Sequence, residues 1–192
     1  MGILVLHASH FGQTRKIAER IAEELRALGH PVDLGDVRRG TPPAPVGYDA
    51  VVLGSRVEVG RHAPEMLAYI RNNVAVLGTK PTAFFSVSMA ASRDRDATDP
   101  DGYMTAMFTD VGWQPTRARA FAGGLPYRKY GWFLRWMMKR INKSAGSTTD
   151  TSRNHELTDW SRVAAFAVEI GAMIGAPATS PIRATSSKGV PR

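Results

Sequence analysis

The chain of 192 residues contains no cysteine and no long run of apolar residues. The lack of cysteine excludes disulfides, thiolate metal sites and a cysteine nucleophile. No apolar run approaches the ~20 residues that a membrane-spanning helix requires. The first run, Ile3 to Leu6, is also too short for a secretory signal peptide, so we expect none. No group of residues is typical of a metal site or a Ser-His-Asp triad, and we expect no metal.

Acidic residues are fewer than basic ones: the chain has 17 Asp and Glu and 25 Lys and Arg, which gives a net charge of +8. An excess of positive charge favours an anionic partner. Hydrophobic residues make up 43% and charged residues 22% of the chain, as in soluble globular proteins. The length is that of one domain with a substantial core.

The most informative pattern that is present is a short apolar run, then a polar loop, then a segment with helical spacing. The run from Ile3 to Leu6 leads into the loop from Ser9 to Thr14, and a helical pattern follows. A loop at the start of a helix presents backbone N–H groups and the positive end of the helix dipole to an anion. Ser9 and Thr14 add hydroxyl donors, and Gly12 allows a close approach of the backbone. The pattern predicts a phosphate-binding loop.

This loop lacks both common nucleotide signatures. It has no Gly-Lys-Ser/Thr ending and no G-x-G-x-x-G, which excludes a Walker loop and a dinucleotide fingerprint. It resembles the phosphate loop of flavodoxins, which has hydroxyl residues at both ends and a glycine inside. The resemblance implies FMN as cofactor, bound by Ser9, His10, Phe11, Gly12, Gln13 and Thr14. The alternative is an ordinary strand-to-helix turn.

Strand and helix patterns alternate along the chain, which predicts a parallel sheet with helices on both faces. Strands are predicted at 3–6, 32–37, 49–54, 81–87 and 117–122, and later helices at 63–77, 100–111 and 159–174. The pattern matches a flavodoxin-like, doubly wound α/β fold with strand order 2-1-3-4-5. We predict one domain over 1–174 with an insertion at about 126–157. Residues 175–192 are rich in Pro, Ser, Thr and Gly, so we predict a disordered tail.

Ligands in such sheets bind at the carboxyl ends of the strands, beside the topological switch point. We therefore expect the segment 56–62, which follows the third strand, to join the first loop at the site. From the ends of the fourth and fifth strands we predict further cofactor-binding residues: Phe85, Ser86, Val87, Ser88, Met89, Ala122, Gly123, Gly124 and Leu125. His62 and Asp150 are the two titratable residues considered for proton transfer, and no catalytic residue is assigned.

A basic and aromatic segment lies between the fifth strand and the last helix. Residues 125–143 contain six basic residues and no acid. Plotted as a helix, this segment places Trp132 and Trp136 on its basic side, beside Arg135 and Lys139. Tryptophan beside basic residues is typical of a helix at a membrane interface, so we expect an anionic membrane surface as partner and no nucleic acid. The alternatives are a cover for the sheet edge or a contact in a homo-oligomer.

Several short motifs occur in an order and spacing that together resemble one family. They are G-Q-T-R-x-I-A at 12–18, F-x-S-V at 84–87, W-x-P at 113–115, A-G-x-L at 122–125, T-D-T at 149–151 and T-D-W at 158–160. Over residues 3–174 the chain resembles the menaquinone-dependent protoporphyrinogen IX dehydrogenases, flavodoxin-like enzymes of heme biosynthesis with an insertion at this place. The resemblance implies FMN, protoporphyrinogen IX as substrate and menaquinone as acceptor. It also implies a cytoplasmic protein that is peripheral on the inner face of the cell membrane.

Protoporphyrinogen is planar and apolar, with two propionates. Arg128 and Lys129 are candidates to pair with the propionates, and Tyr127 to line the substrate face. Two features depart from the family pattern: Val59 stands where an aromatic residue is expected, and His10-Phe11 where polar residues are. The alternative function is therefore a flavodoxin-like quinone reductase or a basic flavin electron-transfer protein.

Overall fold

A computed structural model describes residues 2–93, 98–125 and 155–175. Its first strand, β1 (Ile3–Ala8), is buried along its whole length. Such a strand belongs in the middle of a parallel sheet, where both faces are covered. Accordingly β1 pairs in parallel with β2 (Val32–Asp36) on one side and with β3 (Ala50–Glu58) on the other.

The sheet continues from β3 to β5 (Thr82–Ser88) and then to β6 (Arg117–Ala122), again in parallel. The order β2-β1-β3-β5-β6 confirms the predicted order 2-1-3-4-5, because β5 and β6 are the predicted fourth and fifth strands. The flavodoxin-like α/β fold class is therefore confirmed. The order places the loop that follows β1 beside the carboxyl end of β3.

Some short elements were not predicted. Strand β3 runs four residues beyond the predicted end at Gly54 and turns into β4 (Arg61–His62), with which it pairs antiparallel. A second antiparallel pair joins β7 (Gly124–Leu125), just before the predicted insertion, to β8 (His155–Glu156), near its end. Two-residue strands have no periodicity from which to predict them. The predicted interfacial helix lies outside the described residues, as does the tail beyond Gly175.

Helices cover both faces of the sheet. On one face lie α1 (Gln13–Ala27) and α4 (Trp160–Ile174), and on the other α2 (Pro64–Leu77) and α3 (Tyr103–Val111). Successive side chains of a strand point to opposite faces of the sheet. Ile3 and Val5 therefore pack under α1 and α4, whereas Leu4 and Leu6 pack under α2 and α3. No helix in the described ranges is long and apolar enough to cross a membrane.

Side-chain caps set the start of two helices. Asp159 accepts hydrogen bonds from the backbone N–H groups of Ser161 and Arg162, so α4 begins at Trp160 rather than at the predicted residue 159. Asp99 accepts hydrogen bonds from the N–H groups of Met104 and Thr105. Helix α3 therefore begins at Tyr103, three residues later than predicted.

Candidate functional site

The loop between β1 and α1 has a tight and specific backbone. Gly12 adopts a φ of +100°, a conformation that favours glycine, and its N–H donates to Ser9 Oγ over 3.1 Å. Among the described residues no atom lies within 4 Å of where a Cβ on Gly12 would stand. The first turn of α1, from Gln13 to Lys16, contains no acidic residue. Its N–H groups and dipole therefore face the loop without a competing carboxylate, as an anion requires.

A chain of hydrogen bonds anchors this loop to the far end of the sequence. Gln13 Nε2 donates to Thr158 Oγ1 over 2.8 Å, and Thr158 Oγ1 donates to the carbonyl of Ala122 over 2.7 Å. Thr158 is buried, so these bonds are shielded from water. The G-Q-T and T-D-W motifs therefore meet at the end of β6, although they lie 145 residues apart.

A second link joins the loop to the end of β3. His10 Nδ1 lies 3.0 Å from Glu58 Oε1, and Arg56 Nε lies 3.1 Å from Glu58 Oε2. Burial disfavours the charged carboxylate, but the contacts with Arg56 and His10 outweigh it and lower the pKa of Glu58. Phe11 stacks on His10 with ring centroids 4.3 Å apart. The two residues that depart from the expected polar loop thus form an aromatic pair beside this ionic contact.

These segments surround a cavity of about 100 Å³, which we name the loop cavity. Its walls are Ser9, His10, Phe11, Gln13, Thr14, Arg56, Val57, Glu58, Val87, Ser88, Met89 and Gly123. The structure therefore brings together predicted residues from the ends of β1, β5 and β6 with Arg56, Val57 and Glu58 of the predicted segment 56–62. Arg56 Nη1 is buried in this wall without a hydrogen-bond partner among the described residues. Helix N–H groups and hydroxyls suit a phosphate, so the residues present fit FMN.

The other predicted residues that the structure describes do not line the loop cavity. The ring of Phe85 is buried under α1 and α4, against Gly54, where an added Cβ would lie 1.9 Å from Phe85 Cζ. Ser86 is buried beside His62, and Ala122 contributes the carbonyl that Thr158 contacts. The remaining pair, Gly124 and Leu125, forms β7. Tyr127, Arg128, Lys129 and Asp150 lie outside the described residues.

His62 is buried with 5% of its surface exposed, and its Nε2 lies 3.0 Å from Ser86 Oγ. Burial, opposed in part by Asp99, lowers the pKa of His62 to about 4. The imidazole is therefore neutral at pH 7. Its ring borders a second, open cavity of about 700 Å³ between the β3–β4 hairpin, α2 and α3, which we name the hairpin cleft.

The tip of the β3–β4 hairpin has a strained backbone. Val59 and Gly60 adopt φ values of +50° and +73°, as in a two-residue turn that favours Asn-Gly. A β-branched residue at positive φ is a conformational outlier, and Val59 is also fully exposed. The sequence marks Val59 as a departure from the family pattern, but only the fold reveals this strain. Strain of this kind clusters at functional sites.

Comparisons with known proteins agree with this arrangement. A family model described as "Flavodoxin domain" matches residues 4–152. The protoporphyrinogen IX dehydrogenase (quinone) of Escherichia coli strain K12 is 34% identical over 178 residues, covering 92% of this chain and 98% of the relative. The enzyme of the same name from Leishmania major is 28% identical over 172 residues, covering 88% of this chain and 74% of the relative.

A solved structure of a flavodoxin from the domain Archaea has a TM-score of 0.54 at 12% identity, covering 91% of this chain and 99% of that one. At this identity the likeness supports the fold alone. The flavodoxin domain match makes FMN the cofactor of this fold, in agreement with the donor set of the loop cavity. The resemblance found in the short motifs is confirmed by the match to the Escherichia coli enzyme over nearly the full length of both chains. The chain belongs to the flavodoxin-domain family and, within it, to the family of the protoporphyrinogen IX dehydrogenases (quinone).

Proposed function

We propose that this chain oxidises protoporphyrinogen IX to protoporphyrin IX with FMN, and that a quinone accepts the electrons. The similarity to the Escherichia coli enzyme over nearly the full length of both chains carries the proposal. Two features of the site support it. The loop cavity has the donors that a phosphate-bearing cofactor needs, and the hairpin cleft beside it has the size of a small-molecule site.

FMN supplies the redox chemistry, because it takes hydride equivalents from a substrate and passes them to an acceptor. The chain's own residues bind and orient. In the proposal, the Ser9 and Thr14 hydroxyls and the N–H groups at the start of α1 hold the phosphate. The contact of Gln13 with Thr158 holds this loop in place. Val87 to Met89 and Gly123 complete the wall and restrict the access of water.

His62 acts in this proposal as a neutral polar group and not as an acid. Its pKa of about 4 leaves the imidazole without a charge at pH 7. Its contact with Ser86 fixes the ring at the wall of the hairpin cleft. It therefore positions a ligand there without introducing a charge next to an apolar macrocycle.

An anaerobic assay tests the proposed function. The purified chain, reconstituted with FMN, is mixed with protoporphyrinogen IX and a menaquinone analogue, and protoporphyrin is followed by its fluorescence. We expect turnover that requires both FMN and the quinone. Turnover of simple quinones with no oxidation of protoporphyrinogen would replace the proposal with a quinone reductase. A protein that takes up no FMN, even from an excess, would contradict both the proposed oxidation of protoporphyrinogen and the quinone reductase alternative.

The variant Gly12→Val tests the cofactor loop. Valine disfavours the φ of +100° at this position, so we expect FMN uptake to be lost. Gly40→Val is the matched control, because Gly40 also has a positive φ of +63° with open space around it but lies away from the loop cavity. Equal loss of FMN in both variants would assign the effect to general backbone strain.

We also propose that residues 125–143 attach the protein to an anionic membrane surface, peripheral on the inner face of the cell membrane. The sequence pattern supports this part: six basic residues, with Trp132 and Trp136 among them. Each basic residue near such a surface contributes ~1 kcal/mol, without full additivity. Binding to anionic vesicles should fall at high salt and fall further when both tryptophans are changed to alanine. Equal affinity for anionic and neutral vesicles would leave the segment as a sheet-edge cover or an oligomer contact.

A further inference from the structure

The hairpin cleft is the larger of the two cavities at this edge of the sheet, and its role is not settled by the cofactor loop. It shares Arg56 and Glu58 with the loop cavity, so the two spaces adjoin. Its volume of about 700 Å³ falls within the range of small-molecule sites. A ligand in the hairpin cleft therefore lies next to the proposed cofactor.

One wall of the hairpin cleft is apolar. Helix α2 contributes Pro64 and Leu67, and α3 contributes Ala106 and Met107. Tyr103 at the start of α3 approaches the hairpin tip, since its Cε1 lies 3.6 Å from where a Cβ on Gly60 would stand. This wall suits the face of a large apolar ring.

The opposite wall, formed by the hairpin, carries charge. Antiparallel pairing places Arg61 directly across from Glu58, and Arg56 lies two residues before Glu58 on the same strand. Because side chains alternate along a strand and match across a pair, all three side chains lie on one face of the hairpin, the face towards His10, and all three residues also line the hairpin cleft. The hairpin therefore brings two arginines and a single glutamate to the border of the hairpin cleft.

The positive charge on this wall exceeds the negative charge. Glu58 is shared between Arg56 and His10, while Arg71 forms its own ion pair with Asp110 across α2 and α3. Arg56 Nη1 is buried and has no hydrogen-bond acceptor within the described residues, and Arg61 forms no ion pair within them. A buried charged donor without an acceptor is destabilising, and a ligand carboxylate would satisfy it.

We propose that the hairpin cleft is the tetrapyrrole subsite, with Arg56 and Arg61 binding the propionate carboxylates and the α2–α3 wall contacting the macrocycle. This inference rests on the proposed function and deepens it. It assigns the carboxylate contacts to the β3–β4 hairpin rather than to Arg128 and Lys129. The ligand class is an apolar ring with carboxylates on one edge, and a neutral ring of the same shape binds less tightly.

A pair of stable probes tests this assignment without turnover. Protoporphyrin IX carries the two propionates, and its dimethyl ester has the same ring without the charges. Each is titrated into the FMN-loaded protein in the same dilute detergent, and binding is followed by tetrapyrrole fluorescence. We expect wild type to bind the acid at least about tenfold more tightly than the ester, the scale of one charge-assisted hydrogen bond.

Variants then locate the carboxylate contacts. Arg56→Gln and Arg61→Gln should each lower the affinity for the acid about tenfold and leave the affinity for the ester unchanged. Arg61 is exposed, so Arg61→Gln remains informative if Arg56→Gln loses FMN. Arg39→Gln is the matched control, since Arg39 is exposed, pairs with Asp36 and lies outside both cavities.

Failure of the subsite is distinguishable from failure of the function. If wild type oxidises protoporphyrinogen but Arg56→Gln and Arg61→Gln bind the acid like wild type, the subsite assignment is overturned and the function stands. If only the double variant Arg128→Glu with Lys129→Glu loses binding of the acid, the subsite assignment is overturned and the propionate contacts belong to Arg128 and Lys129. If wild type neither oxidises protoporphyrinogen nor distinguishes acid from ester, the function and the subsite fail together.

Discussion

The two faces of the central sheet are built from the same strands, yet one face is closed and the other contains a cleft. On the closed face, α1 and α4 are both 15 residues long and pack against each other as well as on the sheet. An added Cβ on Gly171 of α4 would lie 2.8 Å from Leu28 Cδ1, which shows how closely this helix approaches the end of α1.

On the open face, α3 has only 9 residues, and the hairpin cleft lies between α2, α3 and the β3–β4 hairpin. The apolar core beneath the two helices stays buried, but its outer rim at Leu67 and Met107 borders the hairpin cleft. The strained turn at Val59 also lies on this side. Both faces bury an apolar core of similar extent, so the difference lies at the rim, where the closed face is packed and the open face leaves a cavity.

The largest expected effect tests this division with two leucines. Leu25 on α1 is fully buried in the closed core, so Leu25→Ala should lower the free energy of unfolding by ~2–5 kcal/mol. Leu67 on α2 is only partly buried at the cleft, so Leu67→Ala should cost ~1 kcal/mol or less. Urea unfolding of both variants measures the contrast. Equal losses would show that the cleft side is packed as tightly as the closed side.

The next effect concerns pH and His62. Its pKa is 6.5 in the unfolded chain and about 4 in the fold, so the unfolded state binds a proton first as the pH falls. Its stabilising contribution is therefore complete above pH 6.5 and is lost as the pH falls towards 4. At ~1.4 kcal/mol per pKa unit, the loss reaches ~3 kcal/mol.

His62→Gln should flatten the dependence of stability on pH in this window, measured by urea unfolding between pH 7 and 4. Burial also lowers the pKa of His7, but His7 is present in both proteins and its contribution cancels in the comparison. An unchanged slope in the variant would show that His62 is accessible to water and protonates normally. That result would contradict the interpretation of His62 as a buried, neutral residue in the wall of the hairpin cleft.

A glycine on the closed face gives a smaller effect. The ring of Phe85 occupies the space above Gly54, so Gly54→Ala forces the ring to move and should destabilise the protein by ~1–3 kcal/mol. Gly47→Ala serves as control, because no described atom lies within 4 Å of its added Cβ. Thermal unfolding distinguishes the two variants. A neutral Gly54→Ala would mean that the closed face repacks more easily than its burial indicates.

The smallest effect is a gain of stability on the open side. Val59→Asn places a residue that tolerates positive φ at the hairpin tip, so we expect stabilisation by ~1 kcal/mol. Val46→Asn is the control, since Val46 is also exposed but has an ordinary backbone. Thermal unfolding measures the gain. Unchanged stability would show that the turn is relaxed. If the strained turn helps to bind the ligand, Val59→Asn should also lower the affinity for the tetrapyrrole probe.

Much of the fold was predictable because its signals are local. The apolar run of β1, the glycine of the loop and the helical spacing of α1 all lie within the first 28 residues. The alternation of strands and helices predicted a parallel sheet, and the match to a flavodoxin-like fold supplied the strand order. The extension of β3 to Glu58 was not predictable, because Arg56 and Glu58 do not look like residues of a buried strand. They remain in the strand since β4 pairs with its end.

In the candidate site, too, the local features were predictable from the sequence and the contacts between distant residues were not. The sequence by itself determined the loop between β1 and α1, with its hydroxyls and the glycine at position 12, because these depend on neighbours along the chain. Only the tertiary structure placed Glu58 beside His10, 48 residues away, and Thr158 beside Gln13. It also left His62 neutral and Arg56 with an unpaired buried donor. Burial and pairing of charges depend on which distant residues exclude water, and spacing along the chain does not encode that.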